Sequence, residues 1–128
     1  MQIKIKNKII AKDAKLCKSF LSQIKGLMFS RQKDIIFEFE KHRKSKAFPG
    51  FGNFLKFPKE KKEIIHMFFV FYPIDIILLN KNKKVVELKQ NLIPFSIYHP
   101  KNKAKYIIEL KKGTIKDNKI KLKDKLSF

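Results

Sequence analysis

His66 and Asp75 are the residues of this chain whose types could do chemistry together. Both sit in its most apolar run, Ile64-Ile65-His66-Met67-Phe68-Phe69-Val70-Phe71-Tyr72-Pro73-Ile74-Asp75-Ile76-Ile77-Leu78-Leu79-Asn80. A histidine oriented by a carboxylate is a common general base, so the pair is the candidate for a hydrolase-type enzyme. No serine or cysteine nucleophile stands near it in sequence, and the simpler reading is a core histidine beside a structural aspartate. In an extended strand Asp75 shares a face with Ile77 and Leu79. An ionised carboxylate buried there without partners costs several kcal/mol, so it must reach a lysine, backbone N–H groups or a solvated cleft. Glu109 could join Asp75 as a carboxylate pair, but a salt bridge to one of the many lysines is the simpler expectation. His42, His66, His99 and Cys17 lack metal-ligand spacing, so no metal or cofactor is expected. Cys17 reads as an inert core thiol, and no glycine-rich phosphate loop exists.

A second candidate site lies in residues 41–63. Phe48, Phe51, Phe54 and Phe57 recur there at a strict spacing of three, with Pro49, Gly50, Gly52 and Pro58 among them. Lys44 and Lys46 precede them and Lys59 follows. Aromatic platforms between basic flanks suit stacking on single-stranded RNA or DNA. The alternative, which is preferred, is a long loop or insertion whose phenylalanines fold back onto the domain or meet a partner.

The net charge of +20 bears on the same question. Basic proteins of this size often bind nucleic acid or an anionic surface through non-specific charge. Only Arg31 and Arg43 are arginines, however, so 29 of the 31 basic residues are lysines. Arginine, with its planar fork, is the usual reader of bases and phosphates. Abundant lysine, isoleucine, asparagine and phenylalanine fit an AT-rich genome, and a solvated lysine surface is the preferred reading.

These residues need a scaffold, and 128 residues with 44% apolar content suffice for one domain over residues 1–128. One cysteine excludes an intramolecular disulfide and fits a reducing compartment. The N-terminus lacks an uncharged apolar segment, so no secretory signal is expected. Pro73, Asp75 and His66 break the longest apolar run, which is shorter than the roughly 20 residues of a spanning helix. A cytoplasmic protein without a membrane span is expected.

Periodicity places the elements. Ile3 and Ile5 alternate with polar residues in one or two short strands over 2–10. Leu16, Cys17, Phe20, Leu21, Ile24, Leu27 and Met28 recur at helical spacing, predicting an amphipathic helix near 14–28. Residues 35–40 alternate as a strand with Ile35, Phe37 and Phe39 facing in. The central run predicts two strands broken at Pro73, the first buried on both faces. Strands follow at 85–88 and 106–110, with an extended piece at 95–98 between Pro94 and Pro100. Gly113 needs a φ > 0 turn. Thr114 to Asp117 has the spacing of a capping box for a short helical turn near 114–119, before a final strand over 122–128. The fold class is α+β: a compact β-rich domain of about six to eight short strands in a barrel-like or strongly curved sheet.

Three segments carry a family resemblance: Gln23-Ile24-Lys25-Gly26-Leu27-Met28-Phe29, residues 65–75, and Ala104-Lys105-Tyr106-Ile107-Ile108-Glu109-Leu110-Lys111-Lys112-Gly113-Thr114-Ile115. In order and spacing they resemble the uncharacterised prokaryotic family called domain of unknown function 192, in its archaeal form. Lys123-Asp124 resembles the closing Gly-Asp turn of that family, with Lys123 in place of the glycine. Gln23 stands where the family usually carries an arginine, and the 41–63 segment is longer than expected. The resemblance implies a small β-rich domain with no established activity, and brings no catalytic residues.

The leading expectation is a non-enzymatic binding or accessory domain. A single-stranded nucleic-acid-binding module using the basic surface is the alternative, and an enzyme built on His66 and Asp75 is the third reading. Neither ligand, partner nor oligomeric state is legible in the sequence.

Overall fold

The structure is a computed structural model, and it describes residues 1–17, 34–38, 65–66 and 71–128. β1 (Ile3–Ile5) and β2 (Lys8–Ala11) form a tight hairpin. Its two turn residues, Lys6 and Asn7, have φ of 46° and 66°. Positive φ at both positions is what the right-handed twist of a two-residue hairpin demands. On the other side of β1 lies β10 (Leu126–Ser127), completing a three-stranded sheet.

The main sheet has five strands in the order β3 (Lys15–Cys17), β4 (Ile35–Glu38), β9 (Tyr106–Lys111), β6 (Ile74–Leu79), β7 (Val85–Leu92). β3 and β4 run parallel, and every other neighbouring pair is antiparallel. β5 (Ile65–His66) and β8 (Ile97–Tyr98) form a separate two-stranded ladder. A short helix, α1 (Thr114–Asp117), follows β9.

Both faces of the five-stranded sheet are buried. All six residues of β6 lie inside, as do Ile35, Ile36 and Phe37 of β4. On one face Ile36, Ile77, Leu79, Ile108 and Leu110 pack with Ile3, Ile5 and Leu126 of the small sheet and with Ile115 of α1. On the other, Ile35, Phe37, Ile74, Ile76, Leu78 and Ile107 form a second cluster, with Tyr72 and Tyr98 against it. A strand buried on both faces carries a continuous apolar run, which is how β6 reads in the sequence.

Several expectations change. Ten strands are present among the described residues, where six to eight were expected. Among the described residues the main sheet keeps two edges, β3 and β7, so it does not close into a barrel, and a smaller sheet covers one face instead. The helix near 14–28 cannot begin where its spacing suggests. Lys15, Leu16 and Cys17 are paired to Ile35, Ile36 and Phe37 as β3, so ladder hydrogen bonds override local helical spacing there. The remainder of that helix lies outside the described residues, as does Phe39. β4 buries both faces rather than one. The break at Pro73, the strand over 106–110 and the helical turn after Gly113 stand as expected. Gly113 has φ +89°, a conformation that suits glycine. No helix among the described residues is long and apolar enough to cross a membrane.

Candidate functional site

Asp75 points to the face of Ile77 and Leu79 and is 1% exposed. Its position on β6 faces Leu110 across the ladder. On the β7 side the register shifts between Ile74 and Ile76, which face Leu92 and Lys89. Gln90 and Asn91 thus lie opposite Asp75 alone, as in a β-bulge, and a bulge leaves a backbone group unpaired. Asn91, at φ +52°, turns its N–H to Asp75 Oδ1 at 3.0 Å. The second oxygen, Oδ2, accepts from the N–H of Ile115 at 3.0 Å. That N–H belongs to the first turn of α1, one of the donors a helix start leaves open. Thr114 does not serve it: the Thr114 hydroxyl donates to the Lys111 carbonyl, and Gly113 offers no side-chain cap. The expected capping box is therefore replaced by a carboxylate from β6. Backbone N–H groups are the outcome for Asp75 among the three partners its burial required.

Glu109 is one residue from the Asp75 level, but it faces the other way. It lies between Ile35 of β4 and Ile76 of β6 on the second face and is buried. Asp75 and Glu109 are not brought together. Burial pushes the Glu109 carboxyl up to about 8. Among the described residues no hydrogen bond or ion pair reaches it, so the expected lysine bridge is not found there.

Glu87 is a third buried carboxylate, and sequence reasoning passed it over. It faces Leu78 on the same side as Glu109. Its Oε2 accepts the Tyr98 hydroxyl, while Oε1 accepts the Lys101 N–H at 2.8 Å, the Asn102 N–H at 2.9 Å and Asn102 Nδ2 at 3.0 Å. Burial pushes its carboxyl up, yet these hydrogen bonds outweigh burial and hold it below its usual range. Burial and the adjoining carboxylate push the Tyr98 hydroxyl up to about 12. The network ties β8 and the following turn onto β7. A lone acid inside Val85-Val86-Glu87-Leu88 was the signal for it.

His66 stands apart from these: it belongs to β5 and faces Ile97 of β8, in a different ladder from Asp75. Lys44, Lys46, Phe48, Phe51, Phe54, Phe57 and Lys59 lie outside the described residues. Among the described residues no group of three or more His, Cys, Asp or Glu is arranged to hold a metal.

Several large apolar side chains are exposed as well. Phe71, Ile93, Phe95 and Ile97 are 62%, 58%, 54% and 50% exposed. Since Ile74 faces both Leu92 and Lys111, the segments before β6, after β7 and after β9 meet at one end of the sheet. There the Phe71 and Phe95 rings meet edge to face, centroids 5.7 Å apart. Phe95 has φ +58°, which for a bulky residue costs about 1–2 kcal/mol. Pro94 before it and the Ser96 hydroxyl on the Ile93 carbonyl at 2.6 Å frame a tight turn of the kind that normally takes glycine at that position.

A two-sheet α+β domain with structural carboxylates inside and an aromatic turn outside is the class these features define. The chain belongs to the family DUF192, described as Uncharacterized ACR, which it matches over residues 1–128. UPF0127 protein PF1050 of Pyrococcus furiosus is 30% identical over 125 residues, 96% of this chain and 92% of that protein. A UPF0127 protein of Thermococcus sibiricus is 49% identical over 51 residues, 40% of this chain and 32% of that protein. The crystal structure of a protein of unknown function from Novosphingobium aromaticivorans matches with a TM-score of 0.69, covering 90% of this chain and 74% of that one. At 19% identity this last likeness speaks for the fold alone.

Proposed function

We propose that this DUF192 chain is a small cytoplasmic, non-enzymatic binding domain. One contrast carries the reading. The oxygens of Asp75 and Glu87 are taken up by donors that hold the fold together, while four large apolar side chains stand exposed at one end of the sheet. A catalytic carboxylate needs an open path to substrate, whereas exposed apolar clusters mark interaction sites.

The test uses three probes: anionic vesicles, a short single-stranded RNA and an acidic peptide. At least one is bound, and binding falls about tenfold or more in the Phe71→Ser/Phe95→Gly double variant but not in Glu109→Gln. If no probe binds, or if Glu109→Gln alone abolishes binding with its fold intact, the reading fails. Single-stranded nucleic acid remains the second reading, on the +20 charge. It requires RNA binding that weakens steeply with salt.

A further inference from the structure

We infer that the exposed end of the main sheet docks onto an anionic lipid surface, with Phe71, Ile93, Phe95 and Ile97 entering the headgroup boundary. The inference rests on the binding-domain reading and names its partner. Proteins that lie on a bilayer combine apolar side chains that insert shallowly with cations that meet anionic headgroups, and binding scales with both. The apolar part is the cluster at the starts and ends of β6, β7 and β8. Each of the four side chains is at least half exposed.

Charge complementarity supplies the second part. Across residues 71–128 there are fourteen lysines and five carboxylates, and three of those carboxylates, Asp75, Glu87 and Glu109, are buried. Lys111 at the end of β9, Lys112 just after it and Lys116 on α1 are exposed near the apolar end. Among the described residues, Asp34, half-buried and accepting from the Lys111 N–H, and Asp117 on α1 are the carboxylates beside them that are not fully buried. Beyond this local balance, the whole chain at +20 is drawn to a negative membrane surface over a Debye length. Charge provides attraction and the apolar end provides orientation.

Two features favour lipid over nucleic acid. Ile93 and Ile97 have no ring on which a base could stack, and Phe71 and Phe95 already meet each other edge to face. The cations are lysines, whose mobile ammonium heads suit a fluid layer of phosphates better than the fixed geometry of a base edge.

The full chain is tested by co-sedimentation with vesicles of phosphatidylcholine alone and with added phosphatidylglycerol. The protein sediments with the anionic vesicles at low salt, about tenfold less with the neutral ones, and less again as salt rises. Phe95→Gly and Phe71→Ser each weaken the anionic binding severalfold, and together by about tenfold or more, with unchanged circular dichroism. The chain has no tryptophan, so Phe71→Trp gives a single reporter whose emission shifts to the blue on anionic vesicles. No sedimentation with anionic vesicles at low salt, or sedimentation that the double variant leaves unchanged, overturns the inference. If RNA or the acidic peptide is bound through Phe71 and Phe95 while vesicles are not, the lipid assignment falls and the binding-domain reading stands.

Discussion

Asp75 and Glu109 lie one step apart across the β6–β9 ladder, yet on opposite faces of the sheet. On one face a bulge in β7 and the start of α1 each leave an N–H without a ladder partner, and Asp75 takes both. On the other face Glu109 lies between two paired strands whose backbone groups are already engaged. It stays protonated at neutral pH because burial penalises its charge. Depth alone therefore does not decide what becomes of a buried carboxyl. What decides it is whether the local backbone has donors to spare, and irregular backbone supplies them.

The sharpest way to break this comparison is Asp75→Ala. It strands two buried N–H groups and should lower stability by about 3 kcal/mol, or the melting temperature by on the order of 10 °C. An unchanged thermal melt would remove Asp75 from its structural role. Glu109 should behave in the opposite sense. Its pKa is raised from the ordinary 4.5 to about 8, so between these values the folded chain holds a proton that the unfolded chain has lost. The stability linked to Glu109 is then fully present below about pH 4.5 and is lost as pH rises to about 8. Melting temperatures across this window should fall with pH, and Glu109→Gln should flatten the slope. A slope identical in parent and variant refutes the assignment.

Smaller effects refine the picture. Tyr98→Phe removes one donor of several from Glu87 and should cost about 1.5 kcal/mol in a urea titration. Gly113→Ala forces a side chain into φ +89°, with ordinary packing around the new methyl, and should cost about 1 kcal/mol. Phe95→Gly should be the mildest, within about 1 kcal/mol of the parent, since relief of strain offsets the added freedom of the unfolded chain.

The fold was legible where pattern and backbone chemistry agree. Pro73 cannot donate to a ladder, and β6 begins directly after it. The shared face of Asp75, Ile77 and Leu79 was readable from strand alternation, and Gly113 announced its turn. The strand expected to be buried on both faces was the one before Pro73, most of which lies outside the described residues. Lys15 to Cys17 misled because spacing of apolar residues is a local signal, whereas β3 is decided by a partner strand twenty residues away. The need of Asp75 for partners was readable, but their identity was not: Asn91 and Ile115 depend on a register shift and a helix start that no spacing encodes. Glu87 escaped notice because its donors come from residues 98–102, brought over β7 only by the fold. The exposed Phe71–Phe95 pair likewise joins residues far apart in sequence.

Strand order also sets a timetable for the nascent chain. β1 lies between β2 and β10, with Lys4 opposite Ser127, and β4 pairs with β9 through Ile36 and Ile108. On the ribosome, at about 5–20 residues per second, β4 waits on the order of 4–15 seconds for that partner to be made. Ile35, Ile36 and Phe37 must spend this interval without the strand that will bury them. Translation speed thus sets how long β4 stays unpaired on this side, and a slower ribosome between β4 and β9 lengthens the wait.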